Sequence, residues 1–215
     1  MERQGLTQAG TGSDDRSRTA IGDLRRYAHY QGWDRRHLGT IRRFLDPRPG
    51  ERVLEVGCGP GHLTKRLQDL GCRAVGVDAN PQAPDAAIAD DVRVMRAEAL
   101  AFPDSSFDKV LAVHAIEHFP DLPGGVSEMA RVLRPGGLML LVYPAEPIRG
   151  LFATLDAIVL YRNPLRARDL HLHKLRPARV RALADAVGLE HVHSEFNLFT
   201  SPQFVTLLRK PYAAP

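Results

Sequence analysis

Short runs of Val and Leu alternate along this chain with longer stretches in which apolar residues return every three or four positions. The stretch IGDLRRYAHYQGWDRRHLGTIRRFL, Ile21 to Leu45, has the second pattern and reads as one or two amphipathic helices, closed by the turn-forming DPRPG. Short Val- and Leu-rich runs then predict strands at Arg52–Val56, Arg73–Val77, Val92–Arg96, Lys109–Val113 and Leu138–Tyr143, each fit for burial on both faces. Helical spacing returns at His62–Leu70, Gly124–Leu133 and Ala178–Val187, the last with Pro177 at its start and Gly188 past its end. Asn80 to Asp90 suggests a short helix that Pro84 makes a poor one. Glu190–Phe196 and Phe204–Arg209 read as two further strands. Strands and helices in this alternation predict an α/β fold, a parallel sheet with helices on both sides, and ligands beyond the carboxyl ends of the strands.

At 215 residues the chain fits one domain with a sizeable core, and 44% hydrophobic with 25% charged residues suits a globular protein. The first twenty residues are polar and lack an apolar signal region, so residues 1–20 are expected to form a flexible tail ahead of a single domain, 21–215. The longest apolar run, GLFATLDAIVLY, is too short to span a bilayer and carries Asp156. Two cysteines, Cys58 and Cys72, form neither a disulfide framework nor a metal pattern, and a reducing cytoplasm is the expectation. The net charge of +4 is mildly basic, with seven Arg and Lys against the single acid Asp169 between Arg162 and Arg181. A solvated face explains that cluster better than a nucleic-acid footprint, so no stable nucleic-acid partner is expected.

The chemistry concentrates at VLEVGCGPGHLTKRL, where a strand runs through glycines at 57, 59 and 61 into a helix. A dinucleotide fingerprint needs its third glycine at 62, where His62 stands, and no Gly-Lys-Ser/Thr completes a phosphate loop. Glu55 before the turn repels pyrophosphate and suits a cation or an amine. Asp78, ending the second strand in GVDAN, is placed to accept the hydrogens of ribose hydroxyls. A positively charged adenosine derivative without phosphates matches both acids, and S-adenosyl-L-methionine is such a molecule.

Four segments in order, VLEVGCGPG, GVDAN, AEALAFPDSSFDKVLAVHAIEHFPD and RVLRPGGLMLLVYP, resemble the class I S-adenosylmethionine-dependent methyltransferases. The likeness is to small-molecule enzymes of the ubiquinone, menaquinone and natural-product type. It implies a three-layer Rossmann-like fold whose seven-stranded, mostly parallel sheet has an antiparallel last strand. It also implies that Glu55 and Gly57 meet the methionine end through water or backbone, with Gly59 and Gly61 in the same cofactor-binding loop, Asp78 at the ribose, Ala79 beside the adenine, and the Ala97 N–H at the adenine ring. His114 would lie near the reacting methyl. Arg96 stands where the family often has an acid for the adenine amino group, and Glu98 is the acid at hand to replace it.

HAIEH places His114, Glu117 and His118 after the fourth strand, where a histidine can serve as general base. Against that stands a capping cluster without chemistry. Zinc is not expected, because HAIEH lacks the metalloprotease order and no third ligand is near in sequence. His171 and His173 alternate in DLHLHK and read as ordinary surface histidines or, on an extended segment, as one lining side of a pocket. Tyr27, Tyr30 and Trp33 recur at helical spacing, as packing or as a lid. Residues 144–176 form a long connection, apolar then basic, read as an insertion that covers a hydrophobic or aromatic small-molecule acceptor; weak contact with an anionic membrane surface is its rival. The expected activity is methyl transfer to a small metabolite by direct displacement. RNA or protein methylation, and a non-catalytic S-adenosylmethionine-binding regulator, are the alternatives.

Overall fold

The computed structural model describes residues 33–145, 171–198 and 202–212. In chain order they form α1 (Trp33–Phe44), β1 (Arg52–Val56), α2 (His62–Asp69), β2 (Arg73–Asp78), β3 (Val92–Val94), β4 (Phe107–Val113), α3 (Leu122–Val132), β5 (Leu133–Pro144), α4 (Pro177–Ala186), β6 (Glu190–Asn197) and β7 (Gln203–Arg209). The strands make one seven-stranded sheet in the order β3-β2-β1-β4-β5-β7-β6. β1 runs parallel to β2 and β4, β2 to β3, and β4 to β5, while β7 is antiparallel to both of its neighbours. The mostly parallel sheet with an antiparallel last strand is therefore as expected.

Double-faced burial explains the Val- and Leu-rich runs. Successive residues of a strand point to opposite faces, and neighbours such as Val53 and Leu54 are both buried, each in a different core. Val53, Leu111, Leu140 and Val142 pack with Ile41 and Leu45 around α1 and with Leu63 and Leu67 of α2. Leu54, Val110, Ala112, Met139 and Leu141 pack on the other face with Val126 and Met129 of α3 and Val180 and Ala184 of α4. The helix ends follow their local chemistry: Asp121 caps α3 by accepting the Gly124 N–H at 3.0 Å, and Pro177 opens α4.

Three elements depart from the sequence reading. Residues 80–90 give only a 3-10 turn at Pro84–Ala86. β3 stops at Val94, not Arg96: among the described residues it lies at the sheet edge with β2 as its only partner, and β2 ends at Asp78, opposite Val94. β5 begins at Leu133, directly after α3. Phe107 faces Leu133 and Lys109 faces Leu138, so RPGG loops out of the ladder, with Gly136 at φ 74°. A proline and two glycines hid this strand start, since each weakens a strand pattern. The 1–20 tail, the helical reading of residues 21–32, Tyr27 and Tyr30, and residues 146–170 of the insertion lie outside the described residues. Among the described residues, no helix is long and apolar enough to cross a membrane.

Candidate active site

The parallel strands all end at one edge of the sheet, and the polar residues singled out above gather there. After β1 the chain turns across to β2, where Gly57 and Cys58 donate to the Val77 carbonyl at 2.8 and 3.0 Å. Gly57 has φ 78°, and a Cβ on it would lie 2.3 Å from the Ala115 Cβ. Only glycine permits both the backbone and the approach. Asp78 closes the other side of the turn: its carboxylate accepts the Gly59 N–H at 2.7 Å and the Asn80 N–H at 2.8 Å. The acid is thereby fixed in place while keeping lone pairs for a further donor.

Glu55 is 4% exposed and accepts a hydrogen bond from the Thr64 hydroxyl at 2.5 Å. Gly76 on β2 makes room for this contact, since a Cβ there would sit 2.7 Å from both the Thr64 hydroxyl and the Cys58 sulfur. Burial pushes the Glu55 carboxyl up to about 7, against the Thr64 hydrogen bonds and with help from the negative charge of Asp78. Burial, with Glu55 and Asp78 nearby, also pushes the Cys58 thiol up, so this cysteine is no nucleophile. Ala97 is buried and Ala79 exposed at the same edge. The Glu98 carboxylate accepts the Asp121 N–H at 3.2 Å and stands 3.4 Å from Arg96, so it is already engaged by two neighbours.

Past β4 the backbone turns sharply at His114, whose φ of 51° is a left-handed conformation that costs a non-glycine residue energy. Its N–H is held by the Val142 carbonyl at 2.8 Å. Its Nε2 donates to the Gln203 side-chain carbonyl at 2.8 Å, and His37 Nε2 donates to the same oxygen at 3.3 Å. The His114 Nδ1 stands 3.7 Å from Glu117 Oε1. Glu117 is 1% exposed. Burial alone would raise its carboxyl, but His114, His118 and His171 outweigh that and hold it below the usual carboxylate range.

His171 and His173 both turn to this cluster, as alternation on an extended segment allows, with Leu172 exposed between them. The His173 N–H donates to the Glu117 carbonyl at 3.0 Å and its Nε2 to the Phe119 carbonyl at 2.8 Å. The His171 and His118 ring centroids are 5.0 Å apart. Neither histidine is a simple surface residue. The sequence reading missed Thr64, Gln203 and His37. Gln203 begins β7, and because that strand runs antiparallel its first residue, not its last, reaches the binding edge. No sequence pattern announces that.

A family model described as a methyltransferase domain matches residues 27–198. The chain belongs to that family. Among curated relatives, this methyltransferase domain is 32% identical over 166 residues to a ubiquinone biosynthesis O-methyltransferase of Sinorhizobium medicae, covering 72% of this chain and 66% of that one. The chain therefore spans just under two thirds of that relative. A solved SAM-dependent methyltransferase from Archaeoglobus fulgidus superimposes with a TM-score of 0.67 at 17% identity, covering 86% of this chain and 97% of the other. The cyclase SpnF does so at 0.67 and 17%, covering 85% and 83%. At such identities the structures speak for the fold alone, and the cyclase illustrates that one scaffold serves more than one reaction.

The residues of the methyltransferase domain fit S-adenosyl-L-methionine. Carboxylates stand on both sides of the glycine turn, and its backbone is fixed with Asp78 oriented by two N–H groups. A donor set of acids suits ammonium and ribose hydroxyls and opposes phosphates.

Proposed function

We propose that this chain is an S-adenosyl-L-methionine-dependent methyltransferase acting on a small, hydrophobic or aromatic acceptor. The observation that carries the reading is the pair of carboxylates, Glu55 and Asp78, at adjacent strand ends on either side of the glycine turn. Glu55 and the backbone of Gly57, Gly59 and Gly61 receive the methionine end, Asp78 the ribose hydroxyls, and Ala79, Ala97 and Glu98 border the adenine. The family match and the O-methyltransferase relatives support this reading. The sulfonium already carries its leaving group, so the cofactor supplies the methyl without further activation. What remains for the protein is alignment of acceptor, methyl and sulfur, exclusion of water, and removal of the acceptor proton.

For the proton, His114 and His118 are the bases and Glu117 their carboxylate partner. His114 is supported by its place: it follows β4 in a strained turn, Gln203 holds its Nε2, and Glu117 stands 3.7 Å from Nδ1, where a carboxylate stabilises an imidazolium. His118 is exposed, at the outer rim. Residues 144–176 cover the acceptor in this proposal. Calorimetry with S-adenosylhomocysteine, followed by a methylation screen over phenolic and amine metabolites read by mass spectrometry, tests the reading. Binding with product formation is the expected result. Absence of binding at millimolar ligand refutes the cofactor, and binding without turnover on any acceptor turns the reading to a regulator.

A further inference from the structure

HAIEH by itself does not point to a metal, since it lacks the metalloprotease order and has no third ligand nearby in sequence. Folding supplies the third. His171 comes to the 3-10 turn Ile116–His118 from more than fifty residues away, docked by the two His173 hydrogen bonds to the Glu117 and Phe119 carbonyls. One ligating atom each from Glu117, His118 and His171 then lies within 4.8 Å of the others. An independent observation concerns the same carboxylate: both Glu117 oxygens are buried and neither has a partner within hydrogen-bond distance among the described residues, the His114 Nδ1 standing off at 3.7 Å. A buried carboxylate without hydrogen bonds is costly, and paired buried charges or metal coordination are how proteins resolve it.

We propose that Glu117, His118 and His171 bind a divalent first-row transition ion, with zinc as its representative, at the carboxyl end of β4. Two imidazoles and a carboxylate favour such an ion over magnesium or calcium, which prefer oxygen ligands alone. Three protein ligands leave a coordination position open, and the exposure of His118 places that position at the rim where an acceptor enters. His114 and Gln203 stand behind Glu117 as the layer that orients it. Resting on the methyltransferase reading, the ion would favour acceptors with a hydroxyl, with His118 then a ligand and His114 the remaining base. Held at the open position, the hydroxyl loses its proton to solvent or His114 more readily. The oxygen then bonds to the methyl carbon while the carbon–sulfur bond breaks and its electron pair stays on sulfur.

The experiment is equilibrium dialysis of the full, chelator-stripped chain against zinc chloride, with metal counted by mass spectrometry and cobalt(II) absorption as a geometry readout. One zinc per chain and the visible bands of four-coordinate cobalt are expected. Glu117→Gln, His118→Ala and His171→Ala should each weaken zinc by at least the ~10–100-fold that loss of even an outer-layer partner costs at such sites. Asp78→Ala should leave zinc unchanged. No uptake by the folded wild-type chain, or equal uptake by the Glu117→Gln and His171→Ala variants shown folded by circular dichroism, overturns the proposal. S-adenosylhomocysteine binding is measured alongside. If it binds and zinc does not, the metal site falls and the cofactor reading stands; if zinc binds and it does not, the reverse holds.

Discussion

Glu55 couples cofactor binding to a proton. In the free chain burial raises its carboxyl to about 7, so at pH 6 roughly nine in ten molecules carry a proton there. An ammonium placed against it favours the charged form and pulls the value back toward the ordinary 4.5. The carboxyl must then release close to one proton per ligand at pH 6 and about a tenth of one at pH 8. Affinity accordingly rises with pH between about 4.5 and 7 and is flat above. With a shift of some two and a half units at roughly 1.4 kcal/mol each, the gain is at most about 3.5 kcal/mol, a few hundredfold in Kd. Calorimetry with S-adenosyl-L-methionine at pH 6, in two buffers of different ionisation enthalpy, reads the proton count directly. Because histidines titrate in the same range, the control is Glu55→Gln, which should abolish the release. A wild-type heat that does not depend on buffer, or the same dependence in Glu55→Gln, refutes the reasoning.

The same group makes the ligand-free protein pH-sensitive. Between 4.5 and 7 the folded state holds this proton and the unfolded state does not, so the stabilising contribution present below 4.5 is lost as pH rises through about 7, and urea titrations should show Glu55→Gln flattening that decline. Asp78→Ala removes the ribose acceptor and the anchor for the Gly59 and Asn80 N–H groups, and calorimetry should show cofactor affinity down at least ~100-fold, given about 1.5–3 kcal/mol per hydrogen bond to a charged group. Gly57→Ala forces an L side chain to φ 78° against Ala115 and should lower the unfolding free energy by more than the ~1–2 kcal/mol of the backbone term alone. His118→Ala should reduce turnover more than cofactor affinity, and unchanged turnover removes His118 from the chemistry. Flotation with acidic liposomes should show no association, which would set aside the membrane-surface reading of residues 144–176.

The sheet was legible because burial on both faces concentrates Val and Leu in the inner stretches of β1, β4 and β5, a pattern that needs no knowledge of partners. The glycine turn and the acids beside it were legible because spacing alone separates them from phosphate loops. What stayed hidden depended on contacts across distance. Thr64 reaches Glu55 only because Gly76, on another strand, leaves the space. Gln203 reaches His114 across 89 residues. His171 joins Glu117 and His118 only when a later segment docks on their turn. The start of β5 was hidden by Pro135, Gly136 and Gly137, which read as an interruption and are an excursion from a continuous strand.

Gln203 Oε1 receives both His37 from α1 and His114 from β4. One amide oxygen thus ties a helix on one face of the sheet and the seventh strand to a single imidazole. Substitutions along α1 chosen only to alter packing would shift that shared anchor, so a helix remote in sequence from the glycine turn is chemically audible within.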